Sequence, residues 1–356
     1  MNVFLAMLLA LLISFVLSAV LGIRIVPWLH KLKFGQTILD IGPNWHKAKQ
    51  GTPTMGGFMF IISTIVTFIL LVVVDYFMGG DLIAGALPSA VAGATKVKIY
   101  SALMLGIGFG FIGFCDDYIK VVKKQNEGLT IMQKTMAQLA LSIAYVATMC
   151  LSGEQYMYLP FVDNAVTYGH PIVFAIVAIV VIYSTVNAVN FTDGIDGLCA
   201  SVTATAAFSF AIIAALMKVT GACLLSCVLA GACAGYLIWN WHPAKCFMGD
   251  TGSMFLGGII AGLAFAIESP LLLLLVGIIY VIEGLSDVIQ IVYFKITRRI
   301  ARRKDPKATG KRLFKMAPIH HHFEKVGWSE EKIVIVFSII NLIGGLLACL
   351  LVYKGI

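Results

Sequence analysis

The stretch "SALMLGIGFGFIGFCDDYIK" (101–120) is mostly apolar until two adjacent carboxylates, Asp116 and Asp117, appear close to its end. A run of this length and composition is typical of a transmembrane helix, which needs about 20 mostly apolar residues. We predict that this span covers 99–119. Charged groups within membranes are costly and usually serve function, so paired acids at the end of a span predict either a functional site or a helix end in water.

The whole chain shares this apolar character. It has 356 residues, of which 60% are hydrophobic and only 12% are charged, whereas soluble domains are about a quarter charged. We therefore predict an all-α, polytopic membrane protein that forms one transmembrane domain over 1–356. The ten predicted spans are 3–29, 56–78, 99–119, 131–151, 172–190, 198–217, 222–239, 252–268, 271–294 and 332–353.

Three features refine this prediction. The first span is not read as a cleaved signal, because no Lys or Arg precedes it and the first cation, Arg24, lies near its far end. The stretch "GGDLIAGALPSAVAGAT" (79–95) is short of spanning length and is predicted to be a loop. The eight cysteines lack a CxxC motif and are typical of small apolar filler rather than of a disulfide or zinc framework.

The distribution of positive charge predicts the orientation. Ten spans create nine loops on alternating sides, and one side collects 22 of the 26 Lys and Arg residues. Positive charge marks the cytoplasmic side, so both termini are expected to be extracytoplasmic. The formal net charge of +8 forms a cytoplasmic belt that suits anionic lipid headgroups or an anionic substrate. The predicted partners are therefore membrane lipids, and not nucleic acid.

The cytoplasmic loops also contain five polar motifs. If the spans close into a bundle, these motifs meet at one cytoplasmic mouth, which predicts a single site. The motifs are "KAKQGTPTMGG" (47–57), "DDYIKVVKK" (116–124), "NAVNFTDGIDG" (187–197), "NWHPAKCFMGDTGS" (240–253) and "APIHHHFEKVGW" (317–328).

Three acids in these motifs suit a divalent cation. On the last helical turn of the third span, Asp116 and Asp117 would lie beneath Lys120 at helical spacing; the alternative is a solvated helix end with an ordinary ion pair. Asp250 is expected one or two residues before the eighth span, where it could cap the helix or bind a metal ion. Mg²⁺ takes one or two carboxylates and completes its shell with phosphate oxygens and water.

Two other motifs offer polar groups to a ligand. The amides and carboxylates of Asn187, Asn190, Asp193 and Asp196 recur every three residues and suit a sugar or a base, or else form an ordinary polar turn. The imidazoles of His320–His322 diverge by about 100° on a helix, so they cannot all bind one metal ion. They suit phosphate binding or proton exchange, or else lie in a basic surface loop.

The ninth span has its own polar face. Glu283, Asp287 and Gln290 are separated by about one helical turn each. Intramembrane acids rarely face lipid, so these side chains are expected to point into the bundle, where they either line the site or stabilise a bent helix.

The five quoted motifs occur in the same order as in the polyprenyl-phosphate N-acetylhexosamine-1-phosphate transferases, and the chain resembles this family over nearly its whole length. "DDYIK" is typical of the wider superfamily, whereas "GTPTMGG" and "APIHHHFE" resemble the branch that uses UDP-MurNAc-pentapeptide. The resemblance implies a multi-pass enzyme of the bacterial plasma membrane with its site facing the cytoplasm. It would transfer the phospho-sugar to undecaprenyl phosphate with Mg²⁺, giving lipid I and UMP, and it would form a homodimer.

The resemblance also implies roles for individual residues. The catalytic residues would be Asp116, Asp117, Asp250, His320, His321 and His322, with Asp250 and Asp117 as ligands of Mg²⁺. The uridine side would be contacted by Asp193, Gly194, Asp196 and Asn240, with Phe247 stacked on the uracil. The diphosphate and sugar would be contacted by Lys49, Lys120, Lys134, Asn187, Asn190 and Gln290, beside the histidines.

Two rival functions make different predictions. A transporter would be expected to place ionisable groups near mid-membrane and often to show internal repeats, whereas these acids gather at one face. A sister enzyme that uses UDP-GlcNAc would share the acidic motifs, and the "APIHHHFE" motif (317–324) argues against it.

Overall fold

The structure, a computed structural model, describes residues 2–31, 49, 51–85, 87, 89–123, 127–159, 166–303 and 305–355. Within them, nine helices are long and apolar enough to cross a membrane, and a bent helix pair provides a tenth crossing if it counts as one span. This confirms the prediction of an all-α polytopic membrane protein. Most of the predicted first cytoplasmic loop lies outside the described residues.

The structure contains twelve α-helices within the described residues. The first six are α1 (Val3–Lys31), α2 (Phe58–Phe77), α3 (Ser89–Val122), α4 (Ile131–Leu151), α5 (Pro171–Thr192) and α6 (Leu198–Leu216). The others are α7 (Thr220–Asn240), α8 (Gly249–Ala266), α9 (Leu273–Val276), α10 (Ile278–Arg302), α11 (Ile319–Val326) and α12 (Glu330–Lys354). A short antiparallel hairpin, β1 (Met157–Leu159) and β2 (Val166–Tyr168), separates α4 from α5.

Two predicted boundaries were wrong. The predicted loop 79–95 ends early, because residues from Ser89 onward already belong to α3. The predicted ninth span 271–294 is not one straight helix, because the chain bends by 88° between α9 and α10. Gly277 lies at the bend, where an added Cβ would come within 2.9 Å of the Tyr280 ring. The apolar side chains of α10 beyond the bend, such as Leu285, are exposed, as expected of a helix that meets lipid.

Close packing around α8 brings the site residues together. An added Cβ at Gly258 would come within 2.8 Å of the Gly106 Cα in α3. At Gly113 of α3, an added Cβ would come within 2.1 Å of the Asp250 backbone oxygen. Small residues let membrane helices approach this closely. The beginning of α8 therefore lies against the α3 turn that precedes Asp116.

At the ends of the helices away from Asp116 and Asp250, an ion-pair cluster joins α3 to the segments that directly follow α4 and α8. Lys98 Nζ lies 2.7 Å from Glu154 Oε2 and 2.6 Å from Glu268 Oε1. The Tyr158 amide of β1 donates to the backbone oxygen of Glu268. The hairpin is thereby joined to the end of α8. All eight cysteines are free.

Candidate active site

Asp116 and Asp117 lie on α3 and are each only 3% exposed. The interpretation of these acids as a solvated helix end is therefore wrong. As the helical spacing predicts, Lys120 lies over both carboxylates. Its Nζ is 2.6 Å from Asp116 Oδ2 and 3.8 Å from Asp117 Oδ1.

Asp250 is the hub of the cluster. It is the second residue of α8, not a residue before the helix as predicted, and the N-cap is Met248. Its Oδ2 accepts from Lys134 Nζ at 2.8 Å and from Lys120 Nζ at 3.1 Å. Its Oδ1 accepts from Asn190 Nδ2 at 2.8 Å. The carboxylate thus binds side chains from α3, α4 and α5, and does not cap its own helix.

The three carboxylates have the chemistry of a magnesium site. One oxygen from each of Asp116, Asp117 and Asp250 lies within 4.8 Å of the other two. Lys120 lies near all three carboxylates and Lys134 contacts Asp250. With all three acids ionised, the cluster has an excess of negative charge that favours a further cation. The donors are all oxygens, which Mg²⁺ prefers.

The individual oxygens have different surroundings. Asp117 Oδ2 accepts from the Thr251 amide at 2.9 Å and from the Thr251 hydroxyl at 2.7 Å. Asp117 Oδ1 lies 3.8 Å from Lys120 Nζ, beyond hydrogen-bond distance, so this oxygen can serve a metal ion. Asp116 Oδ1 accepts from the Leu129 amide at 2.8 Å. Asp116 therefore also fixes the loop that leads to Lys134.

A second cluster forms around Asp196. Lys49 Nζ lies 2.7 Å from Asp196 Oδ1 and 2.6 Å from Glu330 Oε2. Asp196 Oδ2 is 3.0 Å from His242 Nδ1 and accepts from the Ala244 amide at 2.9 Å. Both Asp196 oxygens are thus occupied by protein groups. The cluster joins the first loop, the "DGIDG" turn (193–197), the 241–247 loop and the start of α12.

Two members of this second cluster were missed from the sequence. His242 lies inside the quoted "NWHPAK" motif (240–245), where the sequence alone gave it no role. Glu330 follows Ser329 at the start of α12, where an acid is typical of an ordinary helix N-terminus. Their proximity to Asp196 depends on tertiary contacts, so spacing could not reveal it.

The turn 193–197 is tied to the loop that holds Phe247. Asn240 Oδ1 accepts from the Gly197 amide at 3.1 Å, and its Nδ2 donates to the Cys246 carbonyl at 3.0 Å. Burial, together with the carboxylates of Asp250, Asp117 and Asp196, raises the pKa of Asp193 well above its ordinary value. The neutral form of this carboxyl group can donate a hydrogen bond to a ligand.

The first-loop motif packs directly beside Phe247. The Phe247 amide donates to the Pro53 carbonyl at 2.8 Å, and the Phe247 carbonyl accepts from the Gly56 amide at 2.8 Å. The structure therefore brings "GTPTMGG" (51–57) and "CFMGD" (246–250) together, as the convergence of the five motifs predicts.

The three histidines lie on the short helix α11, each with a protein partner. His320 is fully buried, with its Nδ1 3.0 Å from Glu283 Oε2 in α10. His321 Nδ1 is 2.5 Å from Glu324 Oε2. His322 Nδ1 accepts from the Lys315 amide at 3.1 Å.

His320 also links the histidine motif to the turn 193–197. A Cβ added at Gly194 would lie 2.1 Å from His320 Nε2. Only a residue without a side chain fits there. The fifth motif therefore meets the third, as the convergence predicts.

Two predicted substrate-binding amides contact protein groups in this structure. Asn187 Nδ2 donates to Gln138 Oε1 in α4 at 3.0 Å. Gln290 Nε2 donates to the Phe314 carbonyl at 3.1 Å, and its Oε1 accepts from the Leu313 and Phe314 amides at 3.0 Å each. Gln290 therefore holds the segment that leads into α11. Direct substrate contacts by these two residues remain predictions.

Comparison with known proteins identifies the class of protein to which this helical bundle and its acidic cluster belong. Residues 99–268 match the sequence model of glycosyl transferase family 4. This range contains the "DDYIK" and "FMGD" motifs. The chain is a phospho-sugar transferase of the membrane-embedded type.

Relatives define the family more closely. A phospho-N-acetylmuramoyl-pentapeptide-transferase of Clostridium perfringens strain 13 is 42% identical over 341 residues, covering 94% of this chain and 95% of the relative. One of Clostridium botulinum strain Alaska E43 is 45% identical over 335 residues, covering 94% and 93%. One of Bacillus cytotoxicus is 39% identical over 345 residues, covering 97% and 96%. The chain belongs to the phospho-N-acetylmuramoyl-pentapeptide-transferase family, which confirms the resemblance predicted from the motifs.

Proposed function

We propose that this protein transfers phospho-MurNAc-pentapeptide from its UDP-linked donor to undecaprenyl phosphate, giving lipid I and UMP. The observation that carries the proposal is the cluster of Asp116, Asp117 and Asp250 with two lysines, in a chain of this family. Lys120 Nζ lies 2.6 Å from Asp116 and 3.1 Å from Asp250, and Lys134 Nζ lies 2.8 Å from Asp250. One oxygen of each carboxylate lies within 4.8 Å of the other two.

Charge neutralisation and positioning are the main demands of phosphoryl transfer. Lys120 and Lys134 supply two cations on the Asp250 carboxylate, where both can also reach a diphosphate. Asp117 and Asp250 would hold Mg²⁺, and Asp116 lies close enough to contribute an oxygen. When bound, this ion supplies positive charge to the diphosphate of the donor.

The donor nucleotide is proposed to bind on the side of the turn 193–197. Lys49 and Asp193 offer polar groups there, and Asp196 holds Lys49 in place. Phe247 offers a half-buried ring on the loop that is tied to this turn. Base stacking on an aromatic ring beside fixed polar groups is a general mode of recognition for bases. The histidines of α11 would meet the sugar and diphosphate.

The acceptor is proposed to attack directly. An oxygen of the lipid phosphate forms a bond to the phosphorus that carries the sugar, and the bond from this phosphorus to the oxygen of UMP breaks. A phosphate monoester has a second pKa of about 6, so it is largely dianionic at neutral pH and needs orientation more than activation. The cluster lies at the end of α3, where a lipid phosphate at the bilayer surface could reach it.

We also propose that the site faces the cytoplasm of a bacterial cell. Counted by loop parity, 22 of the 26 Lys and Arg residues fall on the side of the chain that includes the five motifs, and such a bias is typical of cytoplasmic loops. The exposed apolar helix faces are covered by membrane lipids, and part of them by a second copy in a homodimer.

The test uses the purified full chain in detergent with Mg²⁺, UDP-MurNAc-pentapeptide and undecaprenyl phosphate. The expected result is a lipid-soluble product that carries the labelled peptide, together with an equal amount of UMP. If neither product forms with the folded protein, the proposal is wrong.

A further inference from the structure

Glu330 joins two groups that are proposed to bind the donor. It lies in the first turn of α12, and its side chain is only 11% exposed. Its Oε2 accepts from Lys49 Nζ at 2.6 Å and from the Asp196 backbone amide at 3.0 Å. One carboxylate oxygen therefore fixes both the ammonium of the first loop and the backbone of the turn 193–197.

The arrangement leaves Lys49 with capacity for a ligand. A lysine ammonium has three N–H donors. Glu330 and Asp196 accept two of them, so one donor remains. Because the two carboxylates lie on different segments, they hold the ammonium from two directions, and this fixes its position before a ligand arrives.

The start of α12 has other stabilising groups. The Ser329 side chain caps the helix by accepting from the Lys332 amide. Glu331 supplies a second acid to the first turn and is 41% exposed. Helix dipole and capping interactions at this N-terminus therefore do not depend on Glu330 alone. Its contacts with Lys49 and Asp196 call for another role.

We infer that Glu330 is a positioning residue for the nucleotide part of the donor. It acts by holding Lys49 and the turn 193–197 in the arrangement that binds the uridine monophosphate unit. This inference rests on the proposed function, and it makes α12 part of the donor site. Loss of Glu330 leaves the Lys49 ammonium with one carboxylate partner fewer and leaves the Asp196 amide without its acceptor.

The consequence is specific to one substrate. Loss of a charge-assisted hydrogen bond is expected to weaken UMP binding about tenfold. The KM for the UDP-linked donor should rise by a similar factor. The KM for undecaprenyl phosphate should stay unchanged, because Glu330 contacts groups on the proposed nucleotide side.

The experiment measures UMP binding by calorimetry to the detergent-solubilised full chain. The variants are Glu330→Gln and, as the matched control, Glu331→Gln, which removes the neighbouring charge. Glu330→Asp keeps the charge but shortens the reach, and thermal unfolding of each variant reports on folding. UMP binding should weaken about tenfold in Glu330→Gln and less in Glu330→Asp, and by under twofold in Glu331→Gln.

A double variant separates positioning from a general structural effect. In a Lys49→Ala background, Glu330→Gln should weaken UMP binding less than it does alone, because part of its effect passes through Lys49. Unchanged or tighter UMP binding by folded Glu330→Gln would overturn the inference, as would an equal loss in Glu331→Gln. If Glu330→Gln does not fold, wild-type affinity for UMP in folded Glu330→Asp would likewise overturn the inference. If the wild-type protein itself binds no UMP, the proposed function fails and the inference fails with it.

Discussion

Lys134 at the start of α4 and Asp250 at the start of α8 form an ion pair of 2.8 Å. This contact brings the Lys134 ammonium onto the carboxylate that Lys120 and Asn190 also bind. Three helices thus fix the oxygens of one acid. Asp250 therefore links α3, α4 and α5 to the start of α8.

The first prediction concerns Asp250 and the metal ion. Activity should require Mg²⁺ or Mn²⁺ and should disappear in EDTA. Asp250→Asn keeps the shape of the side chain but removes the charge that attracts the ion and both lysines. We expect kcat to fall by roughly a hundredfold or more, as is usual when a key electrostatic group is removed. Product formation and thermal unfolding would be measured together.

Asp305→Asn is the control for this prediction, because Asp305 lies in the exposed basic loop. It should keep full activity. Normal turnover by Asp250→Asn, or full turnover in EDTA, would contradict the assignment.

The second prediction concerns the choice of donor. UDP-MurNAc-pentapeptide should be used in strong preference to UDP-GlcNAc, because the chain has the branch-specific "APIHHHFE" motif (317–324). The ratio of kcat/KM for the two donors, measured with the same acceptor, decides the matter. Equal kcat/KM values for the two donors would instead assign the protein to the sister branch that uses UDP-GlcNAc.

The third prediction uses a glycine. In Gly194→Ala, the new Cβ would lie 2.1 Å from the Nε2 of the fully buried His320. The turn or α11 must shift, so donor binding and activity should fall by about tenfold or more. Gly93→Ala is the matched control, because a Cβ there meets nothing within 4 Å and alanine favours the helix. Equal activity of both variants would show that contact between the turn and α11 is unimportant.

The fourth prediction separates stability from catalysis. Lys98→Met should remove the cation between Glu154 and Glu268 at the opposite end of the bundle. Because two carboxylates lose their partner, we expect about 1–3 kcal/mol of destabilisation, seen as a lower unfolding temperature. kcat measured well below that temperature should be unchanged. A large loss of kcat in protein that remains folded would show that this cluster is coupled to the site.

The sequence predicts well what depends on local periodicity. The position of Lys120 over Asp116 and Asp117 follows from helical spacing, and the structure confirms it. The break at Gly277 was not predicted, because hydropathy does not distinguish a straight span from a bent pair. The hairpin at 157–168 was missed because strands of three residues leave too short a pattern.

Tertiary contacts limit what could be predicted of the site. Convergence of the motifs followed from loop parity, yet Glu330 and His242 were missed because only folding brings them to Asp196. Likewise, burial of His320 on Glu283 joins two distant motifs that no spacing connects. Roles proposed for individual side chains stay predictions until the variants are measured.

The central claim is that the acidic cluster lets the lipid phosphate attack the donor directly. In a covalent route, Asp116 or Asp117 would attack first and carry the phospho-sugar. That route adds a nucleophilic step, in which a carboxylate must also approach the charged diphosphate, although the lipid dianion is already nucleophilic. The contacts of Asp116 with Lys120 and the Leu129 amide favour a positioning role for this acid.

The most direct measurement follows UMP in the absence of lipid phosphate. Enzyme and donor are mixed with Mg²⁺ at comparable concentrations, and UMP and protein-bound sugar are measured, followed by addition of undecaprenyl phosphate. Direct attack predicts no stoichiometric UMP and no labelled protein until the lipid is added, when UMP and lipid product appear in equal amounts. A burst of about one UMP per site without lipid, with labelled sugar retained on denatured protein and lost in an Asp116→Asn or Asp117→Asn variant, would contradict it.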